Sequence, residues 1–230
     1  MIRDLSMPIY EVMSTLRAVR RLKTDPIPDA VLNRILQAAA WAPSGGNTQP
    51  WRIVTVRDSA IRRRVGELYR PQWQAYGAQA RQNLAQLTGD ARAKQERMLD
   101  ACDYLGEHMG DAPVLLVFCF NPDLMAITDA DLGRPSVVGG GSVYPAVQNA
   151  MLACVNEGVG CTLTTLLCFA EDALRSLLEI PQGWYPCAVM PLGYPVLGGH
   201  GPISRRPVEK LCYADTFGSR LDLDAISAST

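Results

Sequence analysis

A chain of 230 residues, 48% hydrophobic and 20% charged, carries enough apolar material for one sizeable core and is too hydrophobic to stay disordered. Its net charge of -1 excludes a general attraction to nucleic acid or acidic membranes; positive charge is local, at Arg17, Arg20 and Arg21, at Arg62, Arg63 and Arg64, and at Arg205 and Arg206. No apolar run approaches the roughly 18 residues that cross a bilayer, and residues 1–5 lack the long apolar segment of a secretory leader, so a cytoplasmic location is expected.

Residues 8–21 read as a helix, with Ile9, Val12, Met13 and Leu16 on one face and Arg17, Arg20 and Arg21 near its C-terminal end. Pro26 and Pro28 break that pattern. Asp29 opens a second helix, in which Val31, Leu32, Ile35, Leu36 and Ala39 recur at helical spacing up to about Trp41. Pro43 ends it, residues 44–47 form a loop, and residues 51–56, rich in β-branched and aromatic side chains, read as a strand. From 60 to about 105 the pattern is helical and polar, broken at Pro71 and at Gly89 and Asp90. Two or three helices are expected there, with 68–110 laid over the body as a cover for a site.

The unbroken apolar run at 114–120 suits a strand covered on both faces. A loop at 129–141 ends in three glycines, after which Ser142 is a candidate cap for a helix running to Gly158. An extended stretch at 161–166, a helix at 171–179 and an inner strand at 185–192 follow. Residues 198–230 read as an irregular tail suited to pack on a partner subunit. Helices thus alternate with about four strands, which gives a single α+β domain over 1–230.

Two segments stand out chemically. If helical, Arg17, Arg20 and Arg21 share a face where like charges repel, an arrangement explained by an anion bound between them. Each charge-assisted bond to a phosphate is worth roughly 1.5–3 kcal/mol. A solvated basic patch, or pairing with Glu11 and Asp25, is the alternative. The second segment, Pro43 to Asn47, offers backbone N–H groups, the Ser44 hydroxyl and the Asn47 amide to an imide-like edge, with Gln49 and Trp51 extending the wall. The alternative is a tight connection in which Asn47 bonds its own backbone.

Gly158 and Gly160 would let the backbone approach a planar ring, and an N–H there could stabilise charge arriving at a redox nitrogen. Gly158 equally suits a helix C-cap. Arg62, Arg63 and Arg64 could meet a 2′-phosphate or simply face water. The seven cysteines form no C-x-x-C pair and sit mostly in apolar runs, and neither His108 nor His200 has carboxylate spacing for a metal, so no metal site is expected. No dinucleotide fingerprint, nucleophile elbow, Walker loop or H-E-x-x-H occurs, which fits a cofactor that does its own chemistry.

The chain resembles the nitroreductase family of FMN-dependent oxidoreductases along nearly its whole length. The resemblance lies in R-A-V-R-R at 17–21, A-P-S-G-G-N-T-Q-P-W at 42–51, S-V-Y-P-A-V-Q-N at 142–149, G-V-G-C-T-L-T-T at 158–165, G-Y-P at 193–195 and R-R-P at 205–207. It implies a central, mainly antiparallel sheet flanked by helices and an intertwined homodimer with FMN at the subunit interface. In that arrangement Arg17, Arg20 or Arg21, with one of Arg205 and Arg206, would hold the phosphate and nearby oxygens, and Ala18 lies in the same stretch. Pro43, Ser44, Gly45, Asn47 and Gln49 would contact the ribityl chain and ring, partly across the dimer. Leu163, Thr164, Thr165 and Leu166 would lie beside the ring and supply a backbone contact near N5.

Tyr144, Trp73 and Tyr76 would wall the slot for a small aromatic or quinonoid acceptor. The implied activity passes hydride from NADH or NADPH to the flavin and then two electrons to a nitroaromatic, quinone or similar acceptor, in ping-pong order. Reductive dehalogenation, ene reduction or flavin breakdown on the same fold, and a non-enzymatic flavin carrier, stay open. Two positions depart from the family pattern: Ala18 replaces a frequent serine and Leu22 a frequent phenylalanine.

Overall fold

The computed structural model describes residues 7–222. Four strands form one sheet in the order β1 (Trp51–Val56), β2 (Val114–Phe120), β4 (Tyr185–Gly193), β3 (Gly160–Cys161), with every pair antiparallel. This sheet, covered by helices, is the α+β architecture expected.

The central strand β2 shows why the sheet forms. Its residues from Val114 to Cys119 are all 2% exposed or less, so side chains on both faces are out of water. Val114, Leu116 and Phe118 pack with Ala188, Met190 and Leu192 under α2 (Asp29–Ala40) and α5 (Tyr144–Asn156). Leu115, Val117 and Cys119 face the other way, toward α3 (Ser59–Leu84), α4 (Gly89–His108) and α6 (Glu171–Leu177). Each fully buried aliphatic or aromatic side chain contributes about 1.5–3 kcal/mol, so this alternation fixes which helices cover which face. Between Phe118 and Cys119 the β2–β4 register slips, and Cys187 is the extra residue on β4, next to Pro186, which has no N–H for a regular ladder.

Three local expectations are corrected. The first helix, α1, spans only Ile9–Thr15, and Leu16 is already extended. Beyond it the chain is captured by the sheet. Val19 N–H donates to Cys161 O at 2.8 Å, Lys23 N–H to Tyr194 O at 2.7 Å, and Val196 N–H to Arg21 O at 3.0 Å. Leu16, Val19 and Leu22 are buried while Arg17, Ala18 and Arg21 are exposed, so the arginines lie on an extended segment and the shared helical face does not exist. Tertiary hydrogen bonds override local propensity here.

Pro71 does not interrupt α3, which runs on through it as one 26-residue helix. Pro71 is exposed, so the carbonyl that loses its partner can be hydrated. The polar stretch is therefore two helices, α3 and α4. Ser142, finally, caps nothing: α5 starts at Tyr144 without a side-chain cap, and Ser142 Oγ accepts the N–H of Gly45 at 3.0 Å.

Gly158 is the C-cap of the α5 end. It has φ +68°, and Gly158 N–H bonds Val155 O while Val159 N–H bonds Cys154 O, the paired bonds of a Schellman motif. Gly160 serves packing: a Cβ there would come within 2.8 Å of both Leu22 and Val19. Gly160 is thereby packed within the fold, while Gly158 stays exposed with open space beside it.

Candidate active site

A cavity of about 410 Å³ lies between the α3–α4 pair and residues 162–166. Its walls include Arg20, Tyr69, Trp73, Tyr76, Met98 and Cys102, together with Leu163, Thr164, Thr165 and Leu166. Sequence reasoning singled out Arg20, Trp73, Tyr76 and the 163–166 stretch, and the fold brings all of these to one place. It missed Tyr69 and Cys102. The available signal was the spacing of four along Val65, Tyr69, Trp73 and Gly77, one buried stripe of α3.

The backbone facing the cavity can be accounted for group by group. Thr164 forms an isolated bridge with Val189: its N–H donates to Val189 O at 2.9 Å, and its C=O accepts from Val189 N–H at 2.8 Å. In a planar trans peptide the C=O and N–H point in opposite directions. The Thr165 N–H and the Leu163 C=O are therefore directed away from β4, on the side where both residues line the cavity. Leu166 N–H is already donated to Thr164 Oγ1 at 3.3 Å. One donor and one acceptor are thus left at the cavity edge, on a segment whose neighbouring groups are bonded within the protein.

The side walls are held rigidly. Trp73 is 6% exposed, its Nε1–H donates to Asp103 at 2.8 Å, and Arg81 pairs with the same carboxylate. Burial pushes the Asp103 pKa up, but the bonds from Arg81 and Trp73 outweigh it and hold the carboxyl below its usual value. Arg20 is half-buried beside the Cys102 thiol and forms no ion pair among the described residues. Burial raises the Cys102 pKa, and it drives Cys119 and Cys187 up to about 12, so these thiols stay protonated at neutral pH.

The other arginines go elsewhere within one chain. Arg17 Nε–H donates to Gly199 O at 2.8 Å, so residues 198–201 of the tail pack against their own N-terminal segment. Arg21 stacks over Tyr104 at 4.5 Å. Arg205 and Arg206 are exposed, and Arg205 turns back to the Ser204 carbonyl. None of these four arginines, nor Arg20, pairs with Glu11, Asp25 or any other acid among the described residues. Residues 223–230 of the tail lie outside the described residues. In the other basic run, Arg62 donates to the carbonyls of residues 110–112 and Arg64 pairs with Glu67, so two of its three members are engaged in the fold.

The 43–49 loop does not line this cavity. Its conformation is unusual: Gly46, Asn47 and Gln49 all have φ between +47° and +59°, a region costly for residues with a Cβ. Ser44 Oγ accepts Gln49 N–H at 2.9 Å, and Asn47 Oδ1 accepts from the Gln49 side chain at 3.1 Å. The Ser44 O–H and Asn47 amide N–H remain to donate outward, Pro43 and Gly45 are exposed, and nearby Trp51 Nε1 is buried with no hydrogen-bond partner.

Strand pairing places this loop at the opposite end of the sheet from the arginine segment. Trp51 faces Phe120, which faces Tyr185, whereas Cys161, bonded to Val19, faces Leu192. Seven strand steps of about 3.3 Å put the two ends roughly 23 Å apart.

Tyr144 sits at the loop's end. It lines a second cavity of about 300 Å³ with Phe120, Met125, Ile127, Gly140 and Cys187, separate from Trp73 and Tyr76. The roof of that cavity is organised by Asp129, which is 2% exposed. It accepts bonds from Ser136 Oγ–H at 2.6 Å, Val137 N–H at 2.9 Å and Arg134 at 2.9 Å. These bonds, Ser136 first, hold its pKa at about 2.

No helix among the described residues is long and apolar enough to cross a membrane, and no group of His, Cys, Asp or Glu among them could hold a metal ion. A sequence model described as the Nitroreductase family matches residues 15–194. An iodotyrosine deiodinase from Nematostella vectensis is 26% identical over 212 residues, 90% of this chain and 74% of that protein. An NADH dehydrogenase from Thermus thermophilus is 29% identical over 195 residues, 85% of this chain and 90% of that protein. Among solved structures, the NADPH:FMN oxidoreductase from Vibrio harveyi complexed with NAD+ superposes with a TM-score of 0.63 at 21% identity, covering 96% of this chain and 82% of that one. The chain belongs to the nitroreductase family.

Proposed function

We propose that this nitroreductase-family chain is an FMN-dependent oxidoreductase that takes electrons from NADH or NADPH and passes them to a flat acceptor such as a nitroaromatic or quinone. One observation carries the reading: a fixed backbone donor and acceptor at Thr165 and Leu163 face a cavity that also holds an arginine without an acid partner. The donor set suits FMN. Arg20 offers charge to an electron-rich oxygen, Thr165 N–H offers a hydrogen bond to a ring nitrogen, and Trp73 gives a locked aromatic wall. Bound FMN would supply the redox chemistry, accepting hydride and releasing two electrons.

The protein's part is to bind and orient. Arg17, Arg20 and Arg21 stand on the segment that edges the cavity, and Arg205 or Arg206 would complete the phosphate contact. The loop carrying Pro43, Ser44, Gly45, Asn47 and Gln49, and with it Tyr144, would come from a second copy. Their position at the far end of the sheet supports a site shared by a homodimer. Nicotinamide and acceptor would use one slot in turn, which is ping-pong order.

The test is direct. The purified protein should be yellow, and anaerobic NADH or NADPH should bleach its band near 450 nm without added acceptor. A colourless protein that rejects FMN would overturn the reading. A second reading, reductive dehalogenation at the same site, is favoured by the likeness to the Nematostella deiodinase. Halide release from a halophenol under anaerobic turnover, against reduction of a quinone, separates the two.

A further inference from the structure

The indole of Trp73 crosses the seam between α3 and α4. Its six-membered ring lies over Gly77, one turn further along α3, and its five-membered ring lies against Gly106 of α4. An added Cβ would come within 3.1 Å of the indole at Gly77 and within 2.6 Å at Gly106, so the two glycines leave the ring its space and no more. The remaining freedom is rotation about χ2. Trp73 Nε1–H donates to Asp103 Oδ1 at 2.8 Å, and an indole N–H lies in the ring plane. A flip would therefore break this bond and leave a donor unpaired on a side chain that is only 6% exposed.

Asp103 is not among the residues that line the cavity, so it acts there only through Trp73. Its Oδ1 also takes Arg81 of α3. Joining the two helices does not by itself call for Asp103, because Arg70 meets Glu107 across the same seam at 3.1 Å. The wall that Asp103 fixes extends to the cavity mouth. Tyr76, more than half exposed, rests against the indole with ring centroids 6.2 Å apart, and both rings line the cavity. At about 410 Å³ this cavity is near the small end of the roughly 300–1,000 Å³ that ligand pockets span, so a shift of one wall changes what fits.

We propose that Asp103 is a positioning residue that sets the shape selectivity of the acceptor slot: by fixing the Trp73 indole in the α3–α4 seam it keeps that wall from yielding, so flat quinones and nitroaromatics enter and rings thickened by branched substituents do not. This deepens the functional reading above and rests on it. A fixed wall rejects a misfit, whereas a wall that can swing accommodates it. Shape alone discriminates about 10- to 200-fold in an apolar pocket.

The experiment measures kcat and KM of the FMN-loaded protein, reduced by NADH or NADPH, for p-benzoquinone and for the di-tert-butyl derivative that carries both groups beside one carbonyl. Wild type should favour the flat quinone in kcat/KM by about tenfold or more. Asp103→Leu and Asp103→Ala place good helix formers at a half-buried position of α4 and remove the acceptor of the indole N–H. In both, the preference should shrink about tenfold, through KM for the bulky quinone rather than kcat for the flat one. Asp103→Asn, whose Oδ1 still accepts that N–H, should restore the wild-type preference. Arg81→Met, which removes the ion pair and spares the Trp73 bond, should keep it. A preference unmoved in both acceptor-deleting variants, or lost equally in Arg81→Met, makes Asp103 a helix clasp and overturns the proposal. Equal falls in kcat/KM for the two quinones, or a wild type that takes both alike, overturn it as well. Failure of the wild-type protein to bind FMN or to reduce either quinone would overturn this proposal and the functional reading together. A selective wild type with unmoved variants overturns only the role of Asp103.

Discussion

The two ends of the sheet are built on opposite plans. Toward the end bearing Arg20, a cavity lies against a helix pair held by the Trp73–Asp103 bond, and the Thr164 N–H and C=O at its edge are both bonded to Val189. At the other end, the 43–49 loop and residues 129–144 lie on the surface. That loop holds three residues at positive φ, satisfies itself by short-range bonds, and directs its remaining donors outward. The first end is organised to receive a ligand. The second keeps its strain and its remaining donors on the exposed surface.

The largest expected effect strikes what both ends share. Phe118 is fully buried in β2, so Phe118→Ala should cost about 3–5 kcal/mol in chemical denaturation and loosen both ends alike. If only one end suffered, the sheet would not be their common support. Arg20→Ala tests the receiving end alone: losing one charge-assisted bond worth roughly 1.5–3 kcal/mol should weaken FMN binding about 10- to 150-fold in a fluorescence titration, with the FMN-free protein melting much as before. An unchanged affinity would remove Arg20 from the site.

Ser142→Ala tests the loop end. It strips Gly45 N–H of its acceptor and should lower stability by about 0.5–1.5 kcal/mol in chemical denaturation; an unchanged midpoint would show that this bond does not hold the loop. Asp129→Asn is the substitution at this end whose effect depends on pH, full near neutrality and fading in acid. The folded pKa of Asp129, about 2, lies below the usual carboxylate value of about 3.9, so its stabilisation is complete above that value and fades as pH falls toward the folded pKa. The gap in Tm between wild type and Asp129→Asn should therefore narrow from pH 5 to pH 2. A gap constant across that range would refute the assignment.

Much of the fold was legible in the sequence where it depends on local pattern. The helical spacing through Leu32, Ile35 and Ala39, and the apolar run of β2, read directly as the elements observed. What escaped depends on partners remote in sequence. The arginine helix failed because Cys161 and Tyr194 take the backbone bonds of Val19 and Lys23. Ser142 has the chemistry of a cap, but its oxygen is occupied by Gly45. The free donor at Thr165 follows only once Thr164 is known to pair with Val189. Residue types picked out several side chains that line one cavity, whereas the direction in which each group points was set by the ladder.

The confinement of Trp73 has an optical consequence. An indole pinned against two glycines in the cavity wall has few ways to relax after excitation and a fixed distance to whatever enters beside it. Its ultraviolet emission overlaps the near-ultraviolet and blue absorption of an isoalloxazine, so filling of the cavity should quench it by energy transfer, and Trp73→Phe should reduce the quenching shared among the four tryptophans.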